Sequence, residues 1–179
     1  MAAIYTEENG QYTLDCSSAL WSTDQIHSCY QGGKRAYGCI GFLKDVDFVI
    51  ESSDYLILVE YKNAKIVGAS NPGAFNPAED NRLTSIARKY FDSLHWLLLK
   101  GKDKPKKYVY IVEYPGDNST SRLMLRNKLK DKLPFTMQSR ITDVGRNLID
   151  EVKVVNIAEW NTDPELCVYP ILSVSHSVT

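Results

Sequence analysis

Two short apolar runs, separated by a polar break, limit the possible folds of this chain more than any other feature. The first run covers residues 46–50, the break covers residues 51–54, and the second run covers residues 55–59. Both runs are rich in Val, Ile, Leu, Tyr and Phe, which favour strands, and a short polar connection is typical of a hairpin. The pattern therefore predicts a β-hairpin whose second strand covers residues 55–62.

Charged residues stand at the end of this second strand, where a buried strand should have none. Side chains alternate between the two faces of a strand, so Glu60 and Lys62 share a face with Leu56 and Leu58. Because the preceding residues are apolar on both faces, we expect the strand at the centre of a sheet. A carboxylate and an ammonium are costly to bury there unless they are paired or bind a metal. The strand end is therefore a candidate binding site.

Several acids of the first strand and the turn compete for a role beside Glu60. Alternation places Asp45, Asp47 and Glu51 on one face, so the pattern alone does not choose among them. Asp47 is preferred because it lies within the apolar run, and Asp45 is the alternative. Glu51 and Asp54 are rivals that lie toward the turn. On adjacent strands, Asp47 and Glu60 could supply two of the carboxylate ligands that Mg2+ prefers.

Asp47, followed thirteen residues later by Glu60-Tyr61-Lys62, resembles the motif of the PD-(D/E)XK nuclease superfamily, the restriction-endonuclease-like fold. Asp47 stands at the position of the family's first acid, and Glu60-Tyr61-Lys62 stands at the position of its ExK tripeptide. The flanking sequence also looks like nuclease-related and Holliday-junction-resolvase-like members. The direct match covers about twenty residues, and Val46 stands where many members have a proline.

The resemblance implies a metal-dependent nuclease that hydrolyses phosphodiester bonds, with DNA as the preferred nucleic acid. It implies that Mg2+ or Mn2+ is held by Asp47, Glu60 and the backbone carbonyl of Tyr61. The catalytic residues are then Asp47, Glu60 and Lys62. The ion would polarise the scissile phosphate and lower the pKa of an attacking water. Lys62 could orient that water or stabilise the charge that develops on the phosphorane.

Further site residues are less well defined by the sequence. Many members of the family add a basic or amide side chain from the helix after the ExK strand. Arg82 and Lys89 are candidates for substrate binding there, and an ordinary solvent-facing charge is the alternative interpretation of each. Many members also add an acid from the first helix. No acid in that region stands in a recognisable context, and the candidates are Asp24, Asp15, Glu8 and Glu7.

The remaining elements follow from residue periodicity and from helix and strand breakers. Asn9-Gly10 between strand-forming segments predicts an N-terminal hairpin over about residues 4–14. An apolar stripe at helical spacing predicts a helix capped by Asn76, with Pro77 at its first position, and stopped by Gly101. The other expected elements are a weak helix over residues 17–30, a helix over 119–133, and strands over 38–43, 108–114, 152–157 and about 167–172.

The predicted order is helix, three-stranded meander, helix, strand, helix, strand. This order matches the αβββαβ core of the resembled superfamily. We therefore expect an α/β (α+β) fold with a central mixed β-sheet flanked by helices. The 179 residues are expected to form one domain, with the N-terminal hairpin and a C-terminal extension over about residues 158–179 added to the core.

Composition restricts the possible partners. A net charge of −1 argues against strong nonspecific DNA binding. Lysines nevertheless crowd residues 100–107, and this segment is interpreted either as a solvated loop or as a rim that contacts phosphates. No apolar run is long enough to span a bilayer and the first residues lack a secretory signal, so we expect no membrane contact and a cytoplasmic location. No glycine-rich phosphate loop is present, so we expect no nucleotide cofactor. The resemblance allows a homodimer. The alternative to an enzyme is a catalytically silent subunit that binds nucleic acid or protein.

Overall fold

The structure is a computed structural model that describes residues 3–31, 42–65 and 72–174. Eight strands and five α-helices lie in these ranges. In chain order they are β1 (Ile4–Thr6), β2 (Tyr12–Asp15), β3 (Trp21–Thr23), α1 (Ile26–Gln31), β4 (Phe48–Glu51), β5 (Leu56–Asn63), α2 (Asp80–Leu99), β6 (Lys106–Glu113), α3 (Ser119–Lys132), α4 (Phe135–Arg140), β7 (Glu151–Val155), α5 (Ile157–Trp160) and β8 (Ile171–Ser173).

Strands β3 to β7 form the central sheet and lie in it in sequence order. β3, β4 and β5 pair antiparallel, whereas β6 is parallel to β5 and β7 is parallel to β6. Parallel neighbours require a crossover, which α2 supplies between β5 and β6, and which α3 with α4 supplies between β6 and β7. The mixed sheet with its helical crossovers confirms the expected α/β (α+β) fold class.

The two faces of the central sheet are covered by different layers. Leu56 and Leu58 of β5 belong to a core shared with α1, α2 and α3. Ile57 and Val59 belong to a second core, which includes residues of β2, α5 and β8. β1, β2 and β8 form a separate antiparallel sheet over this second face. The alternation predicted for β5 is confirmed, and it turns Glu60 toward the helices.

Several predicted elements form close to their predicted bounds. β1 and β2 make the N-terminal hairpin, and Gly10 takes φ +70° in its turn, a conformation that favours glycine. β4 and β5 make the hairpin predicted from the two apolar runs. The other matches are α3 for residues 119–133, β6 for residues 108–114 and β7 for residues 152–157.

The helix predicted over residues 17–30 is wrong in its first half. Trp21–Thr23 forms β3, which pairs with β4, and only Ile26–Gln31 is helical. Trp and Thr favour strands, and the Thr23 hydroxyl accepts a backbone N–H two residues later at 3.0 Å, which separates the strand from the helix. The strand that pairs with β4 on this side of the sheet therefore precedes α1 in the chain. The strand predicted over residues 38–43 lies mostly outside the described residues.

The start of the longest helix also differs from the prediction. α2 begins at Asp80 with Glu79 as its N-cap, rather than after Asn76. The Asn76 side chain instead accepts the Ala78 N–H at 3.0 Å, so it closes a turn before the helix. At the other end the predicted stop is confirmed, because Gly101 takes φ +65° just after the helix.

The C-terminal third contains elements that the sequence pattern misses. α4 has six residues and α5 has four, which is too short for a helical period to be visible. The strand expected over about residues 167–172 forms as β8 (Ile171–Ser173), at the edge of the smaller sheet. None of the helices in residues 3–31, 42–65 and 72–174 combines the length and the apolar character needed to cross a lipid bilayer.

Candidate functional site

The end of β5 and the start of β4 bring two carboxylates together. Glu60 lies near the end of β5 and is fully buried. Phe48 of β4 pairs with Val59, so Asp47, directly before β4, lies beside Glu60. The Asp47 Oδ2 atom accepts the Tyr61 N–H at 2.7 Å, and this bond fixes the Asp47 carboxylate against β5.

Lys89 of α2 connects the two carboxylates. Its Nζ atom lies 2.8 Å from both Glu60 Oε1 and Glu60 Oε2, and 3.5 Å from Asp47 Oδ1. One turn later in α2, the Ser93 hydroxyl accepts the Val46 N–H at 3.0 Å. These bonds hold one face of α2 against the segment that leads into β4.

Lys62 completes a group of four charged side chains, here named the acid–lysine cluster: Asp47, Glu60, Lys62 and Lys89. The Lys62 Nζ atom lies 3.4 Å from Glu60 Oε1, and its side chain is 39% exposed. Asp47 and Lys89 are partly exposed as well. Three side chains of the cluster therefore reach solvent, while Glu60 is fully buried. The structure thus brings the three predicted catalytic residues together with Lys89.

Burial sets the protonation of the cluster. Desolvation raises the pKa of the Glu60 carboxyl to about 7, and repulsion from Asp47 acts in the same direction. Attraction from Lys89 and Lys62 opposes this shift. For Lys89, desolvation lowers the pKa of the ammonium, but attraction from Glu60 and Asp47 outweighs it, so the pKa is raised. Lys89 is therefore charged at neutral pH, whereas burial disfavours the anion of Glu60.

A second pair of ionisable side chains adjoins the acid–lysine cluster. His27 of α1 places Nδ1 3.3 Å from Asp45 Oδ1 and 3.2 Å from Asp45 Oδ2. Desolvation raises the pKa of the Asp45 carboxyl, and attraction from His27 and Lys89 opposes the shift. Asp45, the alternative to Asp47 in the sequence, is thus a buried partner of a histidine and contacts α1.

Arg82, the other predicted substrate-binding residue, makes different contacts from Lys89. Its guanidinium carbon lies 4.6 Å from the centroid of the Phe75 ring, and its Nη2 atom lies 3.9 Å from Glu79 Oε2. Its Nε atom is buried and has no hydrogen-bond partner in the described part of the chain. Of the two predicted basic residues of α2, Lys89 is the one that contacts the carboxylates of the cluster.

The acids considered as a further part of the site have local roles. Glu7 accepts two backbone N–H groups of the turn between β1 and β2, at 2.7 Å and 2.6 Å. Asp15 accepts the backbone N–H two residues later at 2.8 Å. Glu8 and Asp24 are exposed. Within the described residues, no contact joins any of these four acids to the acid–lysine cluster.

The rivals of Asp47 in the turn are also engaged elsewhere. Glu51 pairs with Lys102 and with Lys104, the latter at 3.2 Å. Asp54 accepts the Ser53 hydroxyl at 2.6 Å. Two lysines of the crowded loop therefore neutralise an acid of the β4–β5 hairpin, which favours a structural role for them over a phosphate-contacting one.

The carboxylates of the cluster suit a hard divalent cation. Mg2+ in enzymes commonly uses one or two carboxylates, with waters and substrate phosphate as the other ligands. Asp47 and Glu60 supply such a pair, and the Tyr61 carbonyl stays a predicted third ligand. Among the described side chains, no group of three or more His, Cys, Asp or Glu residues is arranged to hold a metal ion. Two carboxylates therefore stand at the cluster, and both of them contact the Lys89 ammonium.

Comparisons with known proteins give no assignment. No protein-family model matches the chain, and no curated protein and no solved structure matches it significantly. The likeness to the PD-(D/E)XK superfamily thus rests on a motif of about twenty residues.

Proposed function

We propose that this chain is a metal-dependent nuclease that hydrolyses phosphodiester bonds in DNA. The observation that carries the proposal is the convergence of the acid–lysine cluster at the end of the central strand β5. A buried ion pair is often no more stable than apolar side chains of the same size. The full burial of Glu60 in an otherwise apolar strand is therefore better explained by a role in binding or catalysis than by a contribution to stability.

Asp47 and Glu60 are the proposed protein ligands of Mg2+ or Mn2+, with the Tyr61 backbone carbonyl as the third. When bound, the ion supplies a Lewis acid for the scissile phosphate and lowers the pKa of an attacking water. Glu60 is fully buried, in surroundings where electrostatic attraction to a bound cation is stronger than in water. Asp47 uses Oδ2 to accept the Tyr61 N–H, which leaves Oδ1 on the side of Lys89.

The two lysines of the cluster have different proposed roles. Lys62 is more exposed than Lys89, so its ammonium is available to a substrate phosphate and can stabilise the charge that grows there. Lys89 touches three carboxylate oxygens and offsets the repulsion between Asp47 and Glu60. We therefore assign catalysis to Lys62 and positioning of the carboxylates to Lys89.

The proposed substrate is DNA that is held mainly by local contacts. A net charge of −1 gives little long-range attraction to the phosphate backbone. Arg126, Lys128 and Lys130 are exposed on α3 and can add phosphate contacts. The resemblance adds a homodimer to the proposal, because cleavage of a duplex needs two cuts.

A second candidate function follows from the contacts of Lys89. Together with Lys62, its ammonium can balance the charges of Glu60 and Asp47 without any added cation. A protein with this arrangement can be a catalytically silent member of the same fold that binds nucleic acid or another protein. Such a protein would gain no thermal stability from Mn2+, because a ligand stabilises a protein only by binding its native state.

The test is incubation of the purified protein with supercoiled, linear, branched and single-stranded DNA, in Mg2+, Mn2+ or EDTA. We expect metal-dependent cutting that falls at least about 100-fold in a Glu60→Gln/Lys62→Met variant, the size typical of losing one stabilising charge. The matched control is Glu51→Gln/Lys104→Met, which removes the pair between Glu51 of the same hairpin and Lys104 before β6, and which should cut normally.

A thermal shift with Mn2+ separates the two candidate functions. A shift that is lost in the Glu60→Gln/Lys62→Met variant, together with cutting, supports the nuclease. A folded wild-type protein that neither cuts any of the four DNA forms nor shifts with Mn2+ contradicts the nuclease and supports the silent binding subunit.

A further inference from the structure

The pair formed by His27 and Asp45 has no role in the site described so far. The His27 side chain is 71% exposed, whereas the Asp45 side chain is 10% exposed. Nδ1 of His27 lies within 3.3 Å of both carboxylate oxygens of Asp45. Nδ1 is thus held by a buried acid, while most of the imidazole side chain is exposed. A buried carboxylate that orients an imidazole fixes which nitrogen is free for chemistry.

The structure also places Asp45 beside the acid–lysine cluster, where its carboxylate interacts electrostatically with Lys89 and Asp47. Asp45 lies two residues before Asp47 in the segment that leads into β4. α1, which carries His27, is tied to α2 because the Tyr30 hydroxyl donates to the Asp92 carbonyl at 2.8 Å. The Val46 N–H, between the two acids, donates to Ser93 of the same helix at 3.0 Å. The imidazole and Lys89 are therefore carried by two helices that are bonded to each other and to the strand entry.

Resting on the nuclease function proposed above, we propose that His27 is a further catalytic residue, the general acid that protonates the leaving sugar oxygen. In this step the oxygen of water forms a bond to phosphorus and the bond from phosphorus to the sugar oxygen breaks. The proton on His27 Nε2 goes to that sugar oxygen, while the proton lost by the water passes to solvent. The products are a phosphomonoester and an alcohol, so the atoms balance. Asp45 is a positioning residue that holds Nδ1–H.

The other cations of the site are less suited to this proton transfer. Lys89 is held by three carboxylate oxygens and stays an ammonium. Lys62 is the group assigned to charge stabilisation. His95, the other histidine within the described residues, lies on α2 with Nδ1 3.2 Å from the Asp92 backbone carbonyl, so it lacks a carboxylate partner. His27 is thus the described histidine whose orientation is set by an acid.

The test compares two substrates that differ in one leaving atom. The bond that the wild type cleaves is mapped first. Single-turnover rates in Mn2+ are then measured for DNA with the ordinary leaving oxygen at that bond and for DNA with sulfur in place of that oxygen. A sulfur leaving group needs no proton. We expect His27→Gln to slow cleavage at oxygen by about 100-fold and to leave cleavage at sulfur within about threefold of wild type, as for loss of a general acid. Asp45→Asn should give the same pattern with a smaller loss.

His95→Gln is the matched control and should match the wild type on both substrates. A His27→Gln variant with the wild-type rate at oxygen, or with equal losses at oxygen and sulfur, overturns the assignment of His27 and leaves the nuclease function standing. A wild-type protein that cuts neither substrate overturns both proposals. Because His27 is an exposed side chain, a folded variant is expected, and circular dichroism checks this.

Discussion

Two groups of paired lysines and carboxylates involve strands of the central sheet, and the pKa values of Glu60 and Glu165, one acid from each group, are shifted in opposite directions. In the acid–lysine cluster, desolvation raises the pKa of Glu60 to about 7. The second group, here named the β7 ion-pair group, consists of Lys107, Glu151, Lys153, Asp163 and Glu165. There, hydrogen bonds from Lys107 outweigh desolvation and hold the pKa of Glu165 below its ordinary value, on a side chain that is 46% exposed.

The difference indicates why each group is present. A lowered pKa means that the fold favours the anion, so the charged Glu165 adds to stability. A raised pKa means that the fold opposes the anion, so ionised Glu60 reduces stability although Lys89 touches both of its oxygens. The β7 ion-pair group therefore supports the structure. The acid–lysine cluster keeps a charge that the fold disfavours, as expected for a place that binds a ligand or carries out chemistry.

The largest stability effect is expected from Lys89→Met, which leaves buried Glu60 without its nearest cation. Removing one partner of a buried ion pair costs about 3–5 kcal/mol. We expect a loss of that order in the free energy of unfolding at pH 8, and a smaller loss at pH 5, where Glu60 takes up a proton. Urea denaturation at both pH values measures this.

The matched control for Lys89→Met is Arg88→Met on the same helix. Arg88 pairs with Asp92 at 3.2 Å across one helical turn, and its side chain is about half exposed. Surface pairs of this kind contribute roughly 0–1 kcal/mol. Equal losses in the free energy of unfolding of the two variants at pH 8 would show that Lys89 does not stabilise ionised Glu60. That result would contradict the difference drawn between the acid–lysine cluster and the β7 ion-pair group.

The pH dependence of stability should have opposite signs in the two groups. The folded-state pKa of Glu60, about 7, lies above its ordinary value of 4.5. The stability that Glu60 contributes is therefore complete below pH 4.5 and is lost as the pH rises through 7. Relative to Glu60→Gln, the wild type should lose on the order of 3 kcal/mol between these limits, at 1.36 kcal/mol per pKa unit.

Glu165→Gln supplies the opposite case. Because the pKa of Glu165 is lowered, its contribution is present above pH 4.5 and is lost as the pH falls through the folded-state pKa. As the pH rises from 4 to 8, the free energy of unfolding of the wild type should fall relative to that of Glu60→Gln and rise relative to that of Glu165→Gln. Unfolding curves across this pH range measure both differences. Parallel slopes for the two variants would contradict the comparison.

The smallest effect is expected for Glu165→Gln at neutral pH. The side chain is partly exposed, so solvent screens its pairs with Lys107 and Lys153. We expect a change in the free energy of unfolding below about 1 kcal/mol, as for surface ion pairs. Cleavage of DNA by this variant should equal that of the wild type, because the β7 ion-pair group has no part in the proposed chemistry.

The parts of the site that the sequence predicts are those that depend on strand geometry. The period of two in β5 turns Glu60 toward the helices, and the length of the hairpin puts Asp47 beside it. These relations hold within one hairpin, so neighbouring residues determine them. The hairpin and the long helix α2 are predicted for the same reason. β3 is missed, because Trp21–Thr23 becomes a strand only by pairing with β4.

The parts that the sequence does not predict depend on how helices rotate and pack. Lys89 and Arg82 are both basic residues of α2, and only docking of that helix on the sheet decides that Lys89 meets the carboxylates. His27 and Asp45 are separated by eighteen positions and belong to different elements. No residue period links such a pair, so its existence is visible only in the folded structure.

Binding of Mn2+ to the folded protein, measured by titration calorimetry at pH 8, tests the central claim most directly. We expect the wild type to bind Mn2+ and the Glu151→Gln/Glu165→Gln variant to bind it with the same affinity. The Asp47→Asn/Glu60→Gln variant should lose binding, because it lacks both proposed carboxylate ligands. Absence of binding by the wild type, or equal binding by all three proteins, would contradict the assignment of the acid–lysine cluster as a metal-dependent nuclease site.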